Sequence, residues 1–177
     1  MQPFTTTGSR KILDNPFFPV WEEDIILPNG KKEKWYLTSS LGVVVIVPIL
    51  ATGEILLQKT YKHGARKIMY EFPAGMIDDG ETSEEAVKRE LLEETGYQVA
   101  KLQHIGRPFG NPTGSRTQVD VFIGYQCKKI QDPNLEPTEQ IECELMKDWQ
   151  ATKNFLQKNI TSTGCLAAAM LADQHLH

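Results

Sequence analysis

Residues 75 to 97 read GMIDDGETSEEAVKRELLEETGY, and the fold turns on them. Thr82 stands three residues before Glu85, the spacing of a capping box, and Gly96 stands where a helix closes through a left-handed residue. The spacing predicts a helix over 83–95. At about 100° per residue, Ala86, Glu90, Glu93 and Glu94 share one side, while Val87 and Leu91 turn beside them toward a core. Carboxylates at i, i+3 and i+4 repel, by roughly 0.2–0.5 kcal/mol per pair and by more where the face is partly buried. A bound cation reverses that sign. Oxygen donors without Cys or His call for a hard divalent ion: Mg2+, with Mn2+ as an alternative, takes a few carboxylates, several waters and phosphate oxygens. Such a site suits a diphosphate and an attacking water. The plain alternative is a solvated glutamate-rich helix face.

Glu71-Phe72-Pro73-Ala74 leads into the helix through a loop from Gly75 to Glu81. Asp78-Asp79-Gly80 lacks the remaining ligand positions of a calcium-binding loop, so glycine here is read as letting backbone carbonyls approach a metal.

Written out, the stretch is Gly75, five residues, Glu81, seven residues, then Arg89-Glu90-Leu91-Leu92-Glu93-Glu94-Thr95-Gly96-Tyr97. That spacing resembles the signature of the Nudix hydrolases, G-x5-E-x7-R-E-U-x-E-E-x-G-U with U a bulky apolar residue. The resemblance implies an α/β fold: an α/β/α sandwich with a mixed sheet and an N-terminal antiparallel β extension. It implies Mg2+-dependent hydrolysis of a nucleoside diphosphate linked to another moiety, first of all ADP-ribose to AMP and ribose 5-phosphate. A nucleotide-sugar hydrolase acting on substrates such as GDP-mannose, and a catalytically silent nucleotide sensor, stand as alternatives. By the same resemblance Glu90, Glu93 and Glu94 are metal ligands joined by the carbonyl of Ala74, Glu81 and Arg89 form an ion pair tying loop to helix, Gly75 and Gly96 are structural, and Met76 contacts substrate.

Outward from the motif, length and composition bound the answer. With 177 residues the chain is expected to form a substantial core, and its net charge of −4 argues against a general nucleic-acid binder. Three dispersed cysteines, Cys127, Cys143 and Cys165, fit buried thiols in a reducing cytoplasm. The first twenty residues carry no apolar targeting core, and the apolar run 41–50 is too short to span a bilayer.

Residues 16–40 read as a β-hairpin about Pro28-Asn29-Gly30, with Phe17, Phe18, Trp21, Trp35 and Tyr36 expected to pack. The resemblance implies that this extension, residues 1–40, crosses to a second subunit of a homodimer, leaving 41–177 as the hydrolase domain. Residues 41–50 and 54–61 read as strands, the first central. Lys62 to Lys67 forms a basic loop in which Lys62 and Arg66 can offer positive charge to a diphosphate or serve as a solvated turn. Strands are expected at 98–109 and 117–128, around a loop carrying Pro112 and Arg116. Pro112 lies near the proline of the ADP-ribose enzymes; Arg116, where those enzymes tend to be acidic, is a candidate contact to phosphate or sugar. A polar loop, 131–139, precedes a strand over 140–146. By resemblance Glu139, with Glu136 and Glu142 as alternatives, brings a carboxylate over the metals as general base, and a surface glutamate is the plain reading. Helices over 147–158 and 163–176 carry no recognisable chemistry.

Overall fold

Helix α1 spans Ser83–Thr95, capped at its start by reciprocal Thr82 and Glu85 bonds and closed by Gly96 at φ 76°. In this computed structural model residues 1–38 and 42–176 are described, and they fall into two units, Met1–Leu41 with Phe109–Gln118 and Gly42–Pro108 with Val119–His177.

In the second unit, α1 lies on a mixed sheet. Its strands are β4 (Val43–Leu50), β5 (Ile55–Lys62), β6 (Lys67–Glu71), β7 (Ala74–Met76), β8 (Tyr97–Gln98), β9 (Lys101–Gly106), β10 (Val119–Lys129) and β11 (Ile141–Met146). The main order is β11-β5-β4-β10-β8, with β6 on β5, β7 on β4 and β9 on β10. β4 and β10 run parallel, which makes the sheet mixed. Strand period two splits β4 between two cores. Val44 and Ile46 pack with Ala86, Val87, Leu91 and Phe122 under α1, while Val45 and Val47 pack with Val121 and Ile123 on the other face. That second face is covered by α2 (Trp149–Leu156) and α3 (Thr163–Ala172). The result is the α/β/α sandwich. Leu41, the expected first residue of the central strand, lies outside the described residues, as do Ser39 and Ser40. Among the described residues no helix is long and apolar enough to cross a membrane.

In this unit two strands had no counterpart in the sequence reading. The loop expected at Lys62–Lys67 is the turn of a hairpin, with Lys62 paired to Lys67 and β6 continuing to Glu71. Ala74–Met76, expected to open a loop, pairs with Val43–Val45 as β7. Short strands of this kind show no alternation in sequence; they are fixed by the ladder bonds that β4 and β5 offer.

In the first unit β1 (Thr5–Leu13), β2 (Val20–Ile26) and β3 (Lys32–Thr38) form an antiparallel sheet, so the expected two-stranded hairpin has a third strand. The β2–β3 turn is the predicted one: Gly30 adopts φ 82°, and its N–H donates to Leu27 O at 2.8 Å. β1 escaped notice because almost all its side chains are exposed and carry no burial pattern. Phe17 and Phe18, expected to pack, are 69% and 58% exposed; Asn15 Oδ1 accepts from both of their N–H groups and fixes them at the β1–β2 turn.

Candidate active site

The side chain at the centre of the site is Arg89. Its Nε and Nη2 each donate at 2.9 Å to the two oxygens of Glu81, a bidentate pair that ties the loop before α1 to the helix. Nη2 also donates to Met76 O at 2.9 Å, and Nη1 reaches Glu90 Oε1 at 2.7 Å and Glu93 Oε2 at 3.2 Å. One guanidinium therefore locks β7, the loop and three carboxylates together. It also holds the Glu81 carboxyl below the usual carboxylate range.

The three helix glutamates are not equivalent. Glu93 is the most solvent-exposed, Glu90 is partly buried, and Glu94 is 5% exposed against the sheet. Glu94 Oε2 accepts from Gln58 Nε2 at 3.0 Å and from Ala74 N–H at 3.1 Å. Burial pushes the Glu94 carboxyl up to about 8, its two donors only partly opposing that, with Glu90 and Glu139 adding repulsion. Glu90 is raised as well, first by burial, with Arg89 opposing and Glu93 and Glu139 adding to it. Ala86, expected to share the carboxylate side, is fully buried in the core with Val87 and Leu91.

Gly75 explains the first motif position differently from the sequence reading. A Cβ built there would lie 1.9–2.4 Å from the carboxyl atoms of Glu90, so the missing side chain makes room for that carboxylate. Gly96 combines its positive φ with a Cβ position only 2.1 Å from Gln131 O.

The loop after β10 is stapled to the helix end: Ile130 N–H and Asn134 N–H donate to Gly96 O at 2.9 Å and Glu93 O at 2.8 Å. This brings Glu139 close enough for its charge to be felt at both Glu90 and Glu94. Its Oε2 accepts from Glu136 N–H at 2.9 Å, while Glu142 is turned to Lys59 at 2.8 Å.

The basic residues are placed otherwise than a free phosphate clamp would need. Lys62 Nζ is 3.0 Å from Glu71 Oε2. Arg66 occupies the β5–β6 turn at φ 53°. Met76 enters the site through its carbonyl, on Arg89. Arg116 belongs to the first unit, where it pairs with the buried Glu23 and lines a cavity of about 470 Å3 with Phe4, Trp35 and Leu37. Trp35 Nε1 donates to Thr113 O at 3.0 Å, and Phe4 meets its ring edge-on.

Among the described residues no three acidic, histidine or cysteine side chains converge as a finished cage, since the Arg89 guanidinium takes Glu90 and Glu93 while Glu94 turns to Gln58. Carboxylates whose charged form burial disfavours, beside a backbone cradle that admits Glu90, fit a hard divalent ion that brings its own waters and phosphate oxygens. Sequence reasoning missed Gln58; its only signal is an amide following the apolar run Ile55-Leu56-Leu57.

A family model described as NUDIX domain matches residues 40–162. The ADP-ribose pyrophosphatase of Bacillus subtilis is 29% identical over 127 residues, covering 72% of this chain and 69% of that protein. The ADP-ribose pyrophosphatase of Saccharomyces cerevisiae is 35% identical over 133 residues, covering 66% of this chain and 58% of that protein. The chain thus spans under two thirds of the yeast relative's length. A solved structure described as an ADP compounds hydrolase shares the fold, with a TM-score of 0.81 at 20% identity over 99% of this chain and 95% of that one.

Proposed function

Because the chain belongs to the Nudix family, we propose that it hydrolyses the pyrophosphate bond of a nucleoside diphosphate linked to another moiety, with ADP-ribose as substrate and AMP and ribose 5-phosphate as products. The observation that carries this reading is the Arg89 guanidinium gathering Glu81, Glu90 and Glu93 beside β7, with Glu94 of the same helix held by Gln58 and the Ala74 N–H. The relatives named ADP-ribose pyrophosphatase support the substrate. When bound, Mg2+, or Mn2+ in its place, offsets the diphosphate charge and lowers the pKa of a coordinated water.

The chain's own residues do the rest. Glu90, Glu93 and Glu94, with the Ala74 carbonyl, would hold the ion. Arg89 positions Glu90 and Glu93, and is itself held by Glu81. Glu139 orients the attacking water and takes its proton, with Glu93, the more exposed helix carboxylate, as the second candidate for that role. Water adds to one phosphorus, the P–O–P bond breaks, and each product leaves with one phosphate. Lys62, released from Glu71, and Arg66 supply charge to the diphosphate, and Met76 contacts the substrate beside it. Arg116 contacts phosphate or sugar hydroxyls. The exposed Phe17 and Phe18 support a homodimer, and a reducing cytoplasm suits the three free thiols.

The test is a product assay on ADP-ribose, GDP-mannose, dinucleoside polyphosphates and diphosphate-linked cofactors, with and without Mg2+. AMP and ribose 5-phosphate appearing from ADP-ribose only with metal is the expected result. Binding without turnover on the whole panel would replace the enzyme with a sensor.

A further inference from the structure

We propose that Gln58 is a positioning residue: by engaging Glu94 Oε2 it fixes the carboxylate so that Oε1 would be the oxygen offered to a divalent ion. The inference rests on the reading of Glu94 as a ligand and adds a residue that the motif does not contain.

Gln58 lies on β5, 36 positions before Glu94 in the chain, and is 3% exposed. In the sheet it is flanked in register by Glu71 on β6 and Cys143 on β11. Its amide donates to Glu94 Oε2 at 3.0 Å, and Ala74 N–H donates to the same oxygen at 3.1 Å. Two donors on one oxygen occupy its lone pairs and fix the carboxylate plane. Oε1 accepts none of the hydrogen bonds among the described residues and is not among the fully buried unpaired atoms, so it keeps some exposure and is open to a ligand. A plain alternative is that Glu94 serves Gln58, giving a buried amide its acceptor. The energetic asymmetry runs the other way: an ionised carboxylate is far costlier to bury than an amide, and its donors are what make its charged form tolerable. The Ala74 bond alone would leave rotation about it free, and the amide removes that freedom. Outer partners that fix a ligand in this way typically alter metal affinity by about 10–100-fold.

The experiment is a Mn2+ titration of the folded, substrate-free protein, followed by electron paramagnetic resonance of the free ion, for wild type, Gln58→Met, Glu94→Gln and the double variant. Methionine keeps the volume of glutamine and removes the donor, and the metal-free melting temperature of each variant reports folding separately. Expected is a Mn2+ Kd raised about tenfold or more in Gln58→Met, with no further loss when it is added to Glu94→Gln. Gln58→Asn, which keeps the amide on a side chain one methylene shorter, should weaken Mn2+ binding similarly and serves if the methionine variant fails to fold. A changed melting temperature with unchanged Kd would make Gln58 merely structural and overturn the proposal. If Glu94→Gln leaves the Kd unchanged, the ligand reading itself fails; if it raises the Kd while neither Gln58 variant does, only the positioning role fails.

Discussion

Replacing Glu94 by Gln should stabilise the metal-free protein while removing most of its activity. Glu94 has its carboxyl pushed from 4.5 to about 8 by burial. At pH 7 the folded chain must keep it protonated about 2.5 units above its ordinary value of 4.5, on the order of 3 kcal/mol of lost stability. Oε1 retains contact with solvent, so roughly 2 kcal/mol is the better expectation, or about 4–8 °C in a chain of this length. Gln can accept both existing hydrogen bonds, from Gln58 and Ala74, without that penalty. The sign follows from proton binding: the folded state binds this proton more tightly than the unfolded state. The penalty is therefore absent below about 4.5, grows as pH rises, and is complete above about 8. Thermal melts in EDTA at pH 5 and pH 8 check it: the variant should gain over wild type at pH 8 and gain little at pH 5. In Mg2+ the same change should lower kcat by about a hundredfold or more, through loss of a charged ligand. A variant no more stable than wild type at pH 8 in EDTA would refute the buried-carboxylate account, and one that kept full activity would remove Glu94 from the site.

Gly75→Ala puts a methyl where the Glu90 carboxyl sits, 1.9–2.4 Å from its atoms, and should lower kcat/KM by about a hundredfold with a modest change in melting temperature, read by steady-state kinetics and melts on the same preparation. Glu81→Gln breaks a bidentate pair with Arg89 and should lower stability by about 1–3 kcal/mol together with activity, measured by urea unfolding; loss of activity at full stability would contradict the tie between loop and helix. Millimolar Mg2+ should raise the melting temperature of wild type by mass action on the folded state, and Glu90→Gln should reduce that rise, as scanning calorimetry would show. Arg116→Ala should change the ratio of kcat/KM between ADP-ribose and a nucleotide sugar at least about tenfold; equal losses on both would make Arg116 a phosphate contact, and no loss would leave the Glu23 pair structural.

The sequence by itself determined the helix and its family. The Thr82–Glu85 box, the terminal Gly96 and the apolar run of β4 are local signals, and each became the element it announced, because caps are set by neighbours a few residues apart and a strand buried on both faces is written as an unbroken apolar run. The pairing of Glu81 with Arg89 was likewise legible, carried by the motif. Tertiary structure decided how the three glutamates differ: Glu94 is buried and Glu93 is not, because the sheet approaches only one flank of the helix. It also decided that Arg89 reaches Glu90 and Glu93 as well as Glu81, and that Lys62 is spent on Glu71. It tied the 130–134 segment, which leads toward Glu139, to Gly96 and Glu93 by backbone bonds that no spacing in the sequence encodes. β1 and β7 were invisible for a related reason: an exposed strand and a three-residue strand have no burial period to read, and only the partner strand's unpaired groups call them into place. Gln58 is the clearest case. An amide in a strand carries no chemistry in one dimension, and acquires a role when the fold sets it 3.0 Å from a buried carboxylate 36 residues away.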